Sequence, residues 1–217
     1  GNDILYASLG ADLEDGGDGI DTYIIRETLA YIPVIDLYLE TAYLQDSTPT
    51  YSNSISNIEN VTMLGASSIE IIGSELDNEL VGGRGEDLLY GRGGNDTLRG
   101  GYGFDQLYGN YGDDTLHGGG DKDWINPGYG TDQVDGGTGF NTLMYEDLDE
   151  GIILNYSNSE QNGVEAFRAQ TDSLNSNDTL SNFQGFHTTH FDDEFYTDID
   201  SYVFLRAGDD IANLFGS

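Results

Sequence analysis

The amino-acid sequence predicts an all-β fold in which short parallel strands wind into a flattened solenoid. Two observations support this prediction. From Gly73 to Met144 the chain divides into consecutive nine-residue blocks with no insertion between them. Each block has a large aliphatic residue at its eighth position, and glycine recurs in its first half. A nine-residue period is too short for a helical repeat, and we find no convincing helix elsewhere in the chain.

The blocks are aligned by two nearly invariant positions. They read GSELDNELV, GGRGEDLLY, GRGGNDTLR, GGYGFDQLY, GNYGDDTLH, GGGDKDWIN, PGYGTDQVD and GGTGFNTLM. The eighth position holds Leu80, Leu89, Leu98, Leu107, Leu116, Ile125, Val134 and Leu143. The sixth position holds Asp87, Asp96, Asp105, Asp114, Asp123 and Asp132, with Asn78 and Asn141 at the two ends. Glycine fills most first and fourth positions.

Each block is expected to form a six-residue turn followed by a three-residue strand. Glycine tolerates the positive φ angles of tight turns. Side chains alternate along a strand, so position eight should face inward and positions seven and nine outward. Two blocks then complete one coil, and blocks eighteen residues apart stack about 4.8 Å from each other. One aliphatic side chain per block gives a thin core, so another interaction must stabilise the coils.

The charge of the chain restricts its partners. It has 40 acidic and 7 basic residues, for a formal net charge of −33. This balance excludes nucleic acid and anionic membranes as direct partners, because both require Lys and Arg to neutralise phosphate. Either the carboxylates form a solvated surface or many of them bind cations, and their regular spacing favours cation binding. The chain has no cysteine, so disulfides and thiolate zinc sites are excluded, and no apolar run predicts a membrane span.

The blocks resemble the calcium-binding repeats of the RTX (repeats-in-toxin) family, whose pattern is G-G-x-G-x-D-x-U-x with U a large aliphatic residue. The blocks Gly82 to Tyr90 and Gly100 to Tyr108 fit this pattern without exception. The resemblance implies a right-handed parallel β-roll, with Ca²⁺ between turns stacked on the same edge. About six ions are then expected in residues 73–144. The alternative is that Asp and Asn at position six only stabilise turns.

The resemblance also implies two sets of ligands. One edge would carry Asn78, Asp96, Asp114 and Asp132, and the other Asp87, Asp105, Asp123 and Asn141. Backbone carbonyls would come from the glycine-rich turns, with candidates Gly83, Gly85, Gly94, Gly101, Gly103, Gly112, Gly119 and Gly130. Degenerate units outside the regular blocks add Asp21, Asp193 and Asp210. Asn offers an oxygen without charge, so the terminal sites should be weaker.

The whole chain, residues 1–217, is interpreted as one roll with two β-rich insertions. The segments 15–22 and 135–142 resemble each other, and so do the later phrases 55–61 and 180–186. The insertions are therefore placed at 25–54 and 145–178, each leaving and rejoining the roll. Pro33 and the alternation after it predict an edge hairpin in the first insertion. In the apolar frame 64–72, Ile69 stands where the Asp would be, so packing should hold that coil.

Other candidate sites are weaker. His187 and His190 lie near Asp192, but residues three apart on a strand face opposite sides, which argues against a transition-metal site. No catalytic constellation is found, so the chain is predicted not to be an enzyme. Tyr90 and Tyr108 share position nine and should stack, with Trp124 nearby. Such a strip either packs against an insertion or binds a glycan or surface ligand.

These observations predict a calcium-binding module that folds outside the cell, as part of a larger secreted or surface-exposed bacterial protein. By resemblance, the type I secretion machinery is an expected partner, because it exports unfolded chains. Two alternatives stay open. The chain could be the ligand-binding module of an adhesin, or the non-catalytic C-terminal part of an RTX enzyme.

Overall fold

A computed structural model describes residues 1–7, 13–26, 32–45, 52–146, 148, 152–156, 168–169, 178–197 and 202–214. All regular elements within these residues are β-strands. The strands before the regular blocks are β1 (Ile4–Tyr6), β2 (Leu13–Asp15), β3 (Thr22–Ile25), β4 (Ile32–Asp36), β5 (Thr41–Gln45), β6 (Ser52–Ser56), β7 (Asn60–Met63) and β8 (Glu70–Ile72). The blocks form β9 (Glu79–Gly83), β10 (Leu88–Gly93), β11 (Thr97–Tyr102), β12 (Gln106–Tyr111), β13 (Thr115–Gly120), β14 (Trp124–Tyr129), β15 (Gln133–Gly137) and β16 (Thr142–Met144). The remaining strands are β17 (Ile152–Tyr156), β18 (Arg168–Ala169), β19 (Thr179–Ser181), β20 (Gly185–His187), β21 (Glu194–Thr197), β22 (Tyr202–Phe204) and β23 (Ile211–Leu214).

The strands of the blocks alternate between two sheets, as the period predicts. One sheet has the order β1-β3-β7-β9-β11-β13-β15-β19, and the other has β2-β6-β5-β4-β8-β10-β12-β14-β16-β20-β22. Pairing within the blocks is parallel and joins residues eighteen apart, for example Leu89 with Leu107 and Leu98 with Leu116. The fold is therefore a parallel β-roll, and the prediction of fold class is confirmed.

The strands are longer than the three residues expected. Strand β10 runs from position seven of one block to position three of the next. Its pairing with β12 covers Leu88 to Tyr90, skips Gly91, and resumes at Arg92. Every residue at position two except Ser74 adopts positive φ, among them Gly101 at 115° and even Arg92 at 79°. This reversal lets the ladder resume beyond position one, so only positions four to six remain as the turn.

The core is the thin layer predicted between the two sheets. Position-eight side chains are almost completely buried, with Val134 the most exposed of them at 3%. The same layer continues into the coils that precede the blocks, through Val61, Met63 and Ile71. After the blocks it broadens around Phe183, Phe186 and Phe195, and the Phe186 ring contacts the other two. Ile69 is buried in this layer, in agreement with the apolar coil expected there.

Strands outside the blocks extend the sheets. Strands β4 and β5 form the predicted antiparallel hairpin. Its edge position was wrong, because β4 also pairs in parallel with β8 and β5 pairs with β6 on the other side. This second pairing begins at Val34, so the missing N–H of Pro33 interrupts no bond to β8. In the later part, β17 joins β18, β21 and β23 in a separate four-stranded sheet. The insertion boundaries stay predictions.

The chain returns to the roll after each excursion. Strand β7 pairs in parallel with β3, although about 35 residues separate them in sequence. Strand β19 pairs with β15, and β20 pairs with β16, in the same parallel sense. The stacking of coils therefore continues across both interruptions.

Candidate metal centre

The position-six side chains line the two turn edges of the roll. We call the row Asn78, Asp96, Asp114 and Asp132 the first edge, and the row Asp87, Asp105, Asp123 and Asn141 the second edge. All eight side chains are buried. The following strand begins at position seven, and its position-eight side chain points into the core. Because side chains alternate along the chain there, the position-six side chain points to the same inner side.

One carboxylate oxygen of each Asp accepts a hydrogen bond from the backbone of the neighbouring coil. Asp105 Oδ1 accepts the N–H of Asp87 at 2.9 Å, and Asp123 Oδ1 accepts that of Asp105 at 3.0 Å. The first edge repeats the pattern, with Asp114 accepting from Asp96 at 2.7 Å. Each carboxylate therefore bridges to the residue eighteen positions earlier. A buried N–H would otherwise lack a partner, so these bonds help to fix the stacking.

The second oxygen has no hydrogen-bond donor. Within the described ranges, seven buried Oδ2 atoms share this property: those of Asp21, Asp87, Asp96, Asp105, Asp114, Asp123 and Asp132. A Cβ added at Gly91 would lie less than 3.0 Å from both Asp96 Oδ2 and the carbonyl oxygen of Gly109. A carboxylate oxygen and a carbonyl oxygen thus converge beside the glycine, with no proton donor between them. A cation satisfies such a pair, and a side chain at position one would obstruct it.

Electrostatics support the same interpretation. Burial raises the pKa of Asp87, Asp114 and Asp123 to about 7, from an ordinary value of 3.8. Burial and the adjacent Asp178 carboxylate together raise the pKa of Asp132 to about 9. Negative charge at these positions is therefore costly unless an opposite charge is close by. A bound divalent cation supplies that charge.

The glycines predicted to offer carbonyls form stacked columns. A Cβ added at Gly101 would overlap the carbonyl of Gly83, and one added at Gly119 would overlap that of Gly101. The same holds at position four. A Cβ added at Gly103, Gly112 or Gly130 would overlap the carbonyl of Gly85, Gly94 or Gly112, respectively. Carbonyls and turn backbones of successive coils are therefore in close contact. Which carbonyls bind a cation stays a prediction.

Calcium suits this set of oxygens. It takes about six to eight oxygen ligands and accepts both carboxylates and backbone carbonyls. Among the residues that the structure describes, no three His, Cys, Asp or Glu side chains form a metal-binding group. Each turn instead presents one position-six carboxylate together with backbone oxygens. This composition differs from the nitrogen- and sulfur-rich sites of transition metals.

The comparison with protein families agrees. The family model of the RTX calcium-binding nonapeptide repeat matches residues 1–23, 72–107, 99–133 and 108–143. These segments belong to the RTX calcium-binding repeat family. A comparison with curated proteins gave no match.

The RTX ladders end differently at Asn78 and Asn141. Asn78 Oδ1 accepts the N–H of Ser74 at 2.7 Å, and its Nδ2 donates to the carbonyl of Glu59 at 2.8 Å. Asn141 Oδ1 accepts the N–H of Asp123 at 3.0 Å, as an Asp would, while its Nδ2 donates to the carbonyl of Asn182 at 3.2 Å. Both amides are therefore satisfied by the protein.

The outlying candidates fall into two groups. Asp21 resembles the RTX aspartates, because its Oδ1 accepts the N–H of Asp3 at 2.5 Å and its Oδ2 has no donor. Asp193 differs, since Thr189 donates to both of its oxygens, at 3.0 and 2.8 Å. Asp210 Oδ1 accepts the N–H of Asp193 at 3.0 Å. Asp210 thus continues the bridging pattern, whereas the Asp193 carboxylate does not. Calcium binding by either residue stays a prediction.

Sequence reasoning missed Asp178, which ends the first edge. Its Oδ1 accepts the N–H of Asp132 at 2.8 Å, and its Oδ2 accepts the hydroxyl proton of Tyr145 at 2.6 Å. The residue lies outside the matched RTX segments. Its signal was the triplet Asp178-Thr179-Leu180, which repeats the Asp-Thr-Leu found at Asp96 and at Asp114.

The other predicted groupings are only partly assembled. Tyr90 and Tyr108 stack with ring centroids 4.9 Å apart, as predicted. Trp124 instead contacts Phe104 edge-on at 5.1 Å. His187 bonds to Glu146 at 2.7 Å and His190 to Arg206 at 2.8 Å, so the two histidines have separate partners.

No helix in the described part of the chain is long and apolar enough to cross a membrane.

Proposed function

We propose that this calcium-binding RTX roll is a folding and secretion module of a larger secreted bacterial protein. The observation that carries the proposal is the set of seven buried Oδ2 atoms without donors. A chain that buries so many carboxylate oxygens is stable only when cations are bound. Calcium concentration then decides whether the chain is folded. Any catalytic activity of the parent protein would reside outside this chain.

Mass action gives the direction of the switch. Extracellular calcium modules have a Kd of about 10⁻⁴–10⁻³ M, far above cytosolic calcium, so the sites would be empty before export. At a ten- to hundredfold excess of calcium over Kd, each site stabilises the fold by about 1.4–2.7 kcal/mol. An unfolded chain inside the cell suits export through a type I channel. Folding outside would then follow from calcium binding.

The deciding experiment is a calcium titration of chelated protein, followed by far-ultraviolet circular dichroism. We expect a cooperative gain of β-structure near millimolar calcium. Magnesium is the matched control, and it should not produce the transition, because it requires a tighter octahedral geometry. A chelated protein that already has the full β signal would contradict the proposal. In that case packing alone would hold the roll.

An adhesin-like recognition function is the second candidate, and the aromatic side chains favour it. Tyr111 and Tyr129 stack with centroids 5.2 Å apart, and Tyr111 is 65% exposed. Exposed aromatic surface of this kind can bind a glycan. Glycan binding that survives Asp105→Ala but is lost in Tyr111→Ala would favour recognition over folding as the main function.

A further inference from the structure

The two points where the chain rejoins the roll have the same architecture. At the first junction, Asp15 Oδ1 accepts from Asn57 Nδ2 at 2.8 Å and from the N–H of Gly17 at 3.1 Å. At the second junction, Asp135 Oδ1 accepts from Asn182 Nδ2 at 2.6 Å and from the N–H of Gly137 at 3.0 Å. Both asparagines have positive φ, 52° for Asn57 and 62° for Asn182. The junctions are therefore structural duplicates.

In each junction the returning asparagine places its carbonyl beside a position-six side chain. A Cβ added at Gly16 would lie less than 3.0 Å from both the Asn57 carbonyl oxygen and Asp21 Oδ2. A Cβ added at Gly136 would lie less than 3.0 Å from both the Asn182 carbonyl oxygen and Asn141 Nδ2. The returning carbonyl thus takes the place that a position-one carbonyl occupies between regular coils.

The chemistry of the two junctions is opposite. At the first, Asp21 is completely buried, and its Oδ2 faces the Asn57 carbonyl without a donor. At the second, the Asn141 amide donates a hydrogen bond to the Asn182 carbonyl. The orientation of this amide is determined by its partners, because Oδ1 must accept the N–H of Asp123.

A second side chain at each junction shows the same difference, with a carboxylate at the first junction and an amide at the second. Glu59 Oε2 accepts the N–H of Asp21 at 2.7 Å. Gln184 Oε1 accepts the N–H of Asn141 at 2.9 Å. The first junction therefore has two carboxylates where the second has two neutral amides, although the backbone bonds are the same.

We propose that the first junction binds a divalent cation through Asp21 and the Asn57 carbonyl, and that the Asn141 amide replaces this cation at the second junction. This proposal rests on the proposed calcium-dependent function. It implies that the two junctions differ in their requirement for calcium. Return of the chain after the first excursion requires calcium. Return after the second is held by a protein hydrogen bond.

The test compares bound calcium per chain in the whole protein and in two reciprocal variants, using native mass spectrometry in millimolar calcium. Asp21→Asn should bind one ion fewer than the unaltered chain, and Asn141→Asp should bind one ion more. Glu75→Gln is the matched control, since it removes one exposed charge that pairs with Arg92 and not with a junction residue, and it should leave the count unchanged. Circular dichroism at the same calcium concentration verifies that each variant is folded.

The outcomes separate this inference from the proposed function. A chain that binds no calcium at all would refute the function itself. A chain that binds calcium, but with the same ion count in folded Asp21→Asn, would overturn the inference alone. The double variant Asn141→Asp/Gln184→Glu reproduces the first junction completely, so an unchanged count in that variant would also overturn it. A gain of one ion in either second-junction variant supports it.

Discussion

At the scale of the residue, the position-six aspartate has two functions, one for each oxygen. Oδ1 accepts a backbone N–H from the neighbouring coil, and Oδ2, which has no donor, is the oxygen that we propose for the cation. Asparagine can serve the first function but not the second. This division explains why Asn can occupy position six at the end of the second edge, where Asn141 accepts from Asp123 and directs its amide to a carbonyl.

Substitution of Asp105 separates the two functions. Asp105→Asn should keep the bond to the Asp87 N–H but weaken the two calcium sites shared with Asp87 and Asp123. Asp105→Ala should also leave that buried N–H without a partner, at an additional cost of ~1–3 kcal/mol. Calcium titrations followed by circular dichroism, with thermal unfolding at saturating calcium, measure both effects.

The first edge provides the control for this prediction. Asp105 lies on the second edge, so the sites of Asp96, Asp114 and Asp132 should keep their calcium affinity. An equal loss of ions from both edges would contradict the assignment of separate rows. Identical stabilities for Asp105→Asn and Asp105→Ala would show that the Oδ1 bond contributes nothing.

Position in the repeat determined which of these residues could be predicted. The strict spacing makes Asp87 to Asp132 visible in the sequence, and each of them lies buried on a turn edge. Asp178 follows Asp132 in space but is 46 residues away in sequence. A period cannot be extrapolated across such an excursion. Only the following Thr and Leu mark Asp178 as an equivalent of the earlier aspartates.

At the scale of the element, glycine at positions two and four allows the coils to approach one another. Gly112 has a φ of 126°, and a Cβ there would overlap the carbonyl of Gly94 in the neighbouring coil. The turn therefore tolerates neither the conformation nor the volume of another residue. Gly120 lies beside the second edge with an ordinary φ, and its closest prospective contact is the Tyr102 ring at 3.1 Å.

We expect Gly112→Ala to destabilise the roll and Gly120→Ala to leave it almost unchanged. The strained backbone alone costs about 1–3 kcal/mol, and overlap with the neighbouring coil adds to it. For a chain of this size, each kcal/mol lowers Tm by roughly 2–4 °C. Thermal unfolding of both variants in saturating calcium measures the difference. Equal melting temperatures would show that the coils can separate at this turn without cost.

The sequence predicts pairing better than it predicts strand length. Eighteen-residue spacing and the buried eighth position follow directly from the pattern, because a shift of one residue would turn the aliphatic side chains outward. Strand ends were wrong because position two holds Gly, Ser, Arg or Asn, none of which is typical of a strand. Contacts between coils impose the extended ladder there, as Arg92 paired with Asn110 shows. Such contacts are not encoded in any single block.

At the scale of the whole molecule, two electrostatic effects oppose folding. The net charge of −33 repels itself throughout the chain, and this effect is screened by salt. The cost of burying charged carboxylates is a second, local effect. Added salt does not relieve it, because the salt ions remain in bulk water. Calcium bound at the buried oxygens, as we propose, would act on both, because it would neutralise those carboxylates and lower the net charge. The two effects can be separated experimentally.

Protons should replace calcium in part, whereas sodium chloride should not. Burial raises the pKa of Asp96 and Asp123 to about 7 in the folded chain, above the ordinary 3.8, so folding takes up protons between about pH 4 and pH 7. Stability without calcium should therefore rise as pH falls from 8 to about 5.5, and chelated protein should gain β-structure by circular dichroism. At pH 8 in about 1 M sodium chloride, small-angle scattering should show contraction without that gain, because screening leaves the buried Oδ2 atoms charged and without partners. A full β signal in salt alone would mean that general self-repulsion, and not ligation at Oδ2, is what keeps the chain unfolded.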